Sequence, residues 1–403
     1  MSKTLLVGLD IGTFRTVVMI GEKDLDSGRM KIVWKGSYQT LGMRKGMVCD
    51  LEQVANTLQS IIKIAEEESG SEIWQVTVAC SGDHIRVKPN PCALTIQSED
   101  HLVTREDVEE LLQINRDADP GPGYQLLHTI PQTFTSDDQG EIHNPVGMYC
   151  HVLSLDSLSI SAERGRIENL ANVVRSQGFE ILDMAFSGLC AALAVLTPEQ
   201  KRNGVLLVDL GGGTTDYMLF RDHVVLDAGS LGVGGDHITN DISTAFSLRQ
   251  ALSEELKRSE GSAMLDADSI GRIPIHSQDV AFETRNISRK ALHTVINARV
   301  DEIFKIIRSR LDDAGVFRNG LISEVVLTGG GAYLKGVTRM VEHLFGVPCR
   351  IGSLARQVSG TDEWEQPASF ATALGLVLYG RNSPVETSLF SSIASTFKGF
   401  FGK

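Results

Sequence analysis

Residues 207–217 read LVDLGGGTTDY. A β-prone run enters at Gly204–Val208, three glycines break it, and a second β-prone run leaves through Tyr217 to Phe220. That pattern reads as strand, tight turn, strand. It has a twin near the N-terminus, where GLDIGTFRT (8–16) lies between the apolar runs Leu5–Leu9 and Val17–Ile20, with Asp10–Arg15 as the turn. A third glycine turn, LTGGGAYLKG (327–336), joins a strand to an expected helix. Two strand–turn–strand units with Asp and Gly at corresponding places point to internal duplication. The implied class is α/β, two related halves around a cleft.

The chemistry of the three turns is shared. Glycines let backbone N–H groups converge on an anion, and a helix starting after the third turn adds its positive end. Neither GxxxxGKS nor GxGxxG occurs. Asp10 and Asp209 each end a strand just before such a turn. In a duplicated fold both carboxylates aim into one cleft, where they suit a hydrated Mg²⁺ held beside nucleotide phosphates. The alternative, that both aspartates cap their own turns, stays open at this level.

Composition narrows the class. The 403 residues suffice for two or three domain-sized units. A formal net charge of −13 argues against a nucleic-acid footprint and against whole-molecule attraction to anionic lipid. The six cysteines form no CxxC pair and are expected to be buried, reduced thiols of a cytoplasmic protein. No apolar run reaches the roughly 18 residues of a membrane span, and the N-terminus turns to Gly and Asp too early for a signal peptide. The histidines show no HxH or HExxH spacing, and GxSxG is absent.

Residues 51–68 carry helical apolar spacing behind an Asp50/Gln53 cap, and 104–114 a second helix behind Thr104/Asp107. From 84 to about 162 the texture changes to that of a small α+β insertion. A mainly helical stretch over 236–260, a loop over 261–286 and a helix of about seven turns from Asn286 follow.

LDIGT, VDLGGGTTD and LTGGG together resemble the two phosphate motifs and the adenosine motif of the actin, Hsp70 and hexokinase superfamily. SGDHIR (81–86), LHTIPQTFTSDDQGEIHNPVGM (127–148), SLGVGGDHITNDIS (230–243) and the apolar C-terminal tail narrow the resemblance to the bacterial cell-division family FtsA, over essentially the whole chain. The resemblance implies an actin-like ATPase fold with ATP and Mg²⁺ as cofactors. Asp10 and Asp209 would hold the metal. Gly12, Thr13 and Arg15, then Gly211, Gly212, Gly213 and Thr214, with Gly235, would hold the phosphates. Gly329, Gly330 and Gly331 would meet adenosine, flanked by Glu254 and Lys257 of SEELK, a pair that spacing alone also fits as a surface ion pair. Phe14 and Arg15 depart from the Ser-Lys common after the first Gly-Thr in the family. Aligned with Hsp70-like relatives, Ser187 falls where a carboxylate or amide would position water. A hydroxyl is a poor base, so ATP binding with weak or negligible hydrolysis is expected.

By the same likeness, subdomain 1A would take 1–83 and 163–202, and 1C the insertion 84–162. Subdomain 2A would begin at 203–232, 2B would take 233–300, and 301–379 would complete 2A and return to 1A. A linker over 380–387 would lead to an amphipathic membrane-targeting helix, 388–403. At about 100° per residue, Leu389, Phe390, Ile393, Phe397, Phe400 and Phe401 share one arc of about 120°. Such a helix packs on its own domain, docks in a partner groove or lies in a membrane interface; the resemblance favours the membrane. The implied partners are the FtsZ C-terminal peptide, further copies in an actin-like polymer, later division proteins and membrane lipid, at the division site on the inner face of the cytoplasmic membrane. In ISRKALHTVINAR (287–299), Arg289, Lys290 and Arg299 suit an acidic FtsZ peptide, or simply a solvated helix face. The competing readings are an actin-like pilus-assembly protein and a small-molecule kinase of the superfamily, for which Asp216 is the nearest candidate base. A chaperone would need a further domain beyond the ATPase.

Overall fold

The computed structural model describes residues 3–381 apart from 26–28, 138, 276–284, 318–319, 355–357 and 362. Two sheets built to one plan dominate it. In the first, strands Met30–Gln39, Arg15–Asp24 and Lys3–Ile11 run antiparallel to one another, and Gln75–Cys80 and then Glu180–Phe186 add in parallel. In the second, Val224–Leu231, Thr215–Arg221 and Val205–Leu210 are antiparallel, and Glu324–Thr328 and then Cys349–Ile351 add in parallel. The order repeats strand for strand, which makes the duplication a matter of topology. The first sheet carries one extra edge strand, Val358–Ser359.

The central strands are buried apolar runs because helices cover them. Leu51–Ser69, with Asp50 accepting from the Gln53 N–H, packs with Arg164–Ser176 in the first lobe. Ser187–Val195 packs with Ala371–Arg381, which returns to strand Lys3–Ile11 from the far end of the chain. The helices meet closely: a Cβ on Gly375 would collide with the Cys190 carbonyl. The 25-residue helix Arg289–Asp313 buries Ile296, Val300, Phe304 and Ile307 in the core of the second lobe.

The insertion follows strand Gln75–Cys80. Its antiparallel sheet of Gln139–Ile142, Tyr124–Ser136, Val152–Glu163 and Ile85–Pro89 carries helix Arg105–Arg116, opened by a Thr104/Asp107 capping box. One end has its own core of Ile96, Leu111, Phe134 and Leu153, and the other joins the first-lobe core through Ile130 and Ile160. At the junction, buried His128 accepts the Phe186 N–H at Nε2 (2.9 Å) and lies edge-on to Tyr379. Burial pushes the His128 pKa down from 6.5 to about 4. The stability it lends is present above pH 6.5 and is lost as pH falls toward 4. His128→Ala, which also orphans the Phe186 N–H, is expected to cost about 3 kcal/mol in denaturant titrations at pH 7.5, and less at pH 5.

Several local expectations are corrected. Asp10 lies in the strand, opposite Val17, so the turn is confined to Gly12–Phe14. The helical stretch after Gly235 is two helices, Gly235–Phe246 and Gln250–Ser259, broken at Ser247 (φ 51°). The expected loop 261–286 contains strands Arg272–Ile275 and Arg285–Ser288, paired antiparallel, so the long helix begins at Arg289. Ile273 and Ile275 alternate inward while Arg272 and Pro274 face out; proline disguised the strand. All six cysteines are free, but Cys49 is exposed and Cys92 half-buried. The expected C-terminal helix lies outside the described residues, among which no helix is long and apolar enough to cross a membrane.

Candidate functional site

The two hairpins meet tip to tip between the lobes. A Cβ on Gly213 would collide with Thr13 Oγ1, and one on Gly212 would stand 2.7 Å from Phe14 Cβ. Glycine is therefore required by contact between the turns. Below them, the Gly235 and Asp236 N–H groups donate to the Gly211 and Gly212 carbonyls (2.9 and 2.8 Å), fixing helix Gly235–Phe246 under the second turn.

Asp10 and Asp209 each stand one residue before the end of strands Lys3–Ile11 and Val205–Leu210, and Asp216 faces Asp209 from the second position of strand Thr215–Arg221. Asp209 accepts from Thr372 Oγ1 (2.8 Å), a residue of the returning helix. Asp216 accepts from Ser81 Oγ (2.7 and 2.8 Å) at the end of strand Gln75–Cys80. Burial raises the pKa of Asp10 to about 7, helped by Asp209 and opposed by Arg15. Burial raises Asp216 to about 7 as well, with Asp209 again adding. Asp209 also moves up through burial, against the Thr372 hydroxyl. Three carboxylates that repel one another call for a cation. No three His, Cys, Asp or Glu side chains among the described residues converge as a complete metal shell. The arrangement therefore suits a divalent ion that keeps its waters and takes its remaining oxygens from a phosphate.

The third turn follows the neighbouring parallel strand Glu324–Thr328 and abuts the end of strand Val205–Leu210. Gly329 (φ 79°) presses against Asp209 and Leu210, and its N–H donates to the Ala368 carbonyl (3.1 Å). Here an expectation fails: residues Gly330–Tyr333 form a 3₁₀ turn, and the α-helix starts only at Val337, after Gly336. The helix does not point its N-terminus from the three glycines.

Glu254 and Lys257 form an ion pair (2.6 Å) facing inward, for both hold Thr239 Oγ1 and Lys257 Nζ donates to the Gly235 carbonyl (3.1 Å). The pair thus fastens helix Gln250–Ser259 to the glycine turn. Arg15 behaves differently. Its guanidinium donates to the Ser369 carbonyl and lies 4.6 Å from the Phe370 ring centre. Burial lowers its pKa, against the pull of Asp10 and Asp209. It borders a cavity of about 500 Å³ lined also by Lys35, Arg258, Glu365 and Phe370.

Of the three expected partner residues, Arg289 pairs with Glu260 (2.6 Å) and Arg299 is held by Asp241 (2.6 and 3.0 Å) and Glu302. Lys290 is exposed, with no ion pair among the described residues. Sequence reasoning passed over Ser81, Thr372, Arg258 and the Lys45–Gly46 turn. Only the last left a local trace, a glycine after two basic residues.

Residues 206–375 match the family model for cell division protein FtsA, and 82–161 match the SHS2 domain inserted in FtsA. The cell division protein FtsA of Pseudomonas aeruginosa is 30% identical over 379 residues, covering 94% of this chain and 90% of that relative. Among solved structures, the PilM–PilN type IV pilus biogenesis complex superposes with a TM-score of 0.66 at 19% identity, covering 94% of this chain and 99% of the other. MreB5 of Spiroplasma citri bound to ADP does so with a TM-score of 0.54 at 15% identity, covering 98% of each chain. The fold is thus that of the actin-like ATPases, with an SHS2 insertion. Carrying both family signatures and this level of identity over nearly its whole length, the chain belongs to the FtsA family of cell-division proteins.

Proposed function

We propose that this chain is an ATP-binding, actin-like division protein that polymerises and ties FtsZ filaments to the inner face of the cytoplasmic membrane, bringing later division proteins to them. The observation that carries the nucleotide part is the meeting of buried Asp209 and Asp216 and half-buried Asp10 with two abutting glycine turns. In this reading Asp10 and Asp209 hold Mg²⁺ through its waters, which lets the ion neutralise phosphate oxygens. Backbone N–H groups around Gly12–Thr13 and Gly211–Thr214 face the phosphates. Gly329, Gly330, Gly331, Glu254 and Lys257 bound the purine end, and Gly235 supports the second turn. Arg15 must leave Ser369 to reach a phosphate. A fluorescent ATP analogue with Mg²⁺ should bind saturably; no binding by folded protein contradicts this reading.

Hydrolysis is expected to be weak. Ser187 is buried at the start of its helix, beside Gly188, whose Cβ position is 3.4 Å from Asp216 Cβ. A hydroxyl there holds water without taking its proton. Phosphate release from Mg-ATP should stay well below one per second. Many turnovers per second would contradict the assignment of Ser187.

The acidic FtsZ peptide is placed at the start of the long helix on Lys290. Arg289 and Arg299 contribute only by exchanging the acidic partners they already hold. The tail residues Leu389, Phe390, Ile393, Phe397, Phe400 and Phe401 supply membrane insertion. Lys398 and Lys403 add about 1 kcal/mol each near anionic lipid, so the apolar face supplies most of the affinity. One short tail binds modestly, and a polymer of tails binds firmly through effective concentration.

A further inference from the structure

The short hairpin Met43–Arg44/Met47–Val48 reaches the same cleft from the first lobe. Its turn residues, Lys45 (φ 52°) and Gly46 (φ 76°), are both left-handed, as a two-residue hairpin turn requires. The Gly46 N–H donates to Thr13 Oγ1 (3.0 Å). A Cβ on Gly46 would collide with the Ser81 carbonyl and stand 3.0 Å from Thr214 Cγ2. The turn is thereby wedged between the hydroxyl-bearing residues of both glycine turns and the segment that pairs with Asp216. Lys45 is half-buried, and among the described residues its ammonium makes no hydrogen bond or ion pair.

We infer that Lys45 receives the terminal phosphate of a bound nucleoside triphosphate and so distinguishes it from the diphosphate. The inference rests on the proposed nucleotide role of the cleft. Arg15 feels the charges of Asp10 and Asp209 together with those of Arg258 and Tyr333. Thr13, Thr214 and Gly46 meet at the tips of the two glycine turns. A nucleotide with its base at the 329–331 turn and its phosphate chain running to these tips would bring its terminal phosphate to Lys45. The ammonium also lies close enough to His237, on the helix under the second glycine turn, to disfavour its protonation after burial has done so. A phosphate on Lys45 removes that positive field from the second lobe. The triphosphate is thus felt by both halves.

The test titrates wild type, Lys45→Gln and Lys45→Arg with fluorescent ATP and ADP analogues in Mg²⁺. Lys45→Gln should weaken ATP about tenfold or more and ADP less than threefold, and Lys45→Arg should retain most of the ATP affinity. In wild type, which needs no variant to fold, Mg-ATP should slow labelling of Lys45 by an amine-reactive ester more than Mg-ADP does. An unchanged ATP:ADP ratio in Lys45→Gln, or equal protection by both nucleotides, overturns the inference while leaving nucleotide binding intact. If wild type binds neither analogue, the functional reading fails first and this inference with it.

Discussion

Asp10→Asn is expected to stabilise the nucleotide-free protein and to lower its affinity for Mg-ATP by about 30-fold or more. Both effects follow from one half-buried carboxyl whose ionisation desolvation opposes. The Asp10 carboxyl ionises near pH 7 in the fold and near 3.8 when unfolded. The folded state therefore binds more protons between those values, and the stability Asp10 contributes is lost as pH rises through 7. Asparagine never ionises, so the variant's advantage in thermal melts without nucleotide should widen from pH 5 to pH 8, by on the order of 2–3 kcal/mol at most. Mg-ATP reverses the order. The ion needs the carboxylate, and losing a charged hydrogen-bonding group costs about 2–3 kcal/mol of binding. Wild type should then melt above the variant in saturating Mg-ATP. If Asp10→Asn destabilises the free protein and binds Mg-ATP like wild type, the carboxylate cluster is merely structural.

A chain ending at Pro384 is expected to lose at least tenfold in co-sedimentation with anionic vesicles under Mg-ATP. The truncation removes all six large apolar residues of the proposed tail. The whole sequence carries a formal net charge of −13, which opposes approach to such a surface. Replacing Phe397 and Phe400 with aspartate in the full-length chain keeps its length and should reproduce the loss. Equal sedimentation of full-length and truncated chains contradicts the anchor. Diluting the full-length protein until filaments disassemble should also release it, because a single tail binds weakly.

The features legible in the sequence were those set by local backbone rules. Two glycine turns, each between β-prone runs, gave the duplicated topology, and Asp50 and Thr104 marked helix starts that the structure realises. Legibility ended where partners lie far apart along the chain. Asp216 is held by Ser81, 135 residues earlier, and Arg15 by Ser369, 354 residues later. No periodicity encodes such pairs. Arg299 looked available on a helix face and is committed to Asp241, 58 residues before it. Glu254 and Lys257 fitted an ordinary surface pair, and only the fold turns them inward onto Thr239 and Gly235. Strand Arg272–Ile275 was hidden by Pro274, which an edge hairpin tolerates.

The most direct test of the central claim is vesicle flotation of FtsZ filaments with full-length protein, with the chain ending at Pro384, and with neither, all in Mg-ATP. The account predicts that FtsZ rises with the vesicles only when the full-length chain is present. FtsZ that stays in solution in all three, or rises equally with the truncated chain, contradicts it.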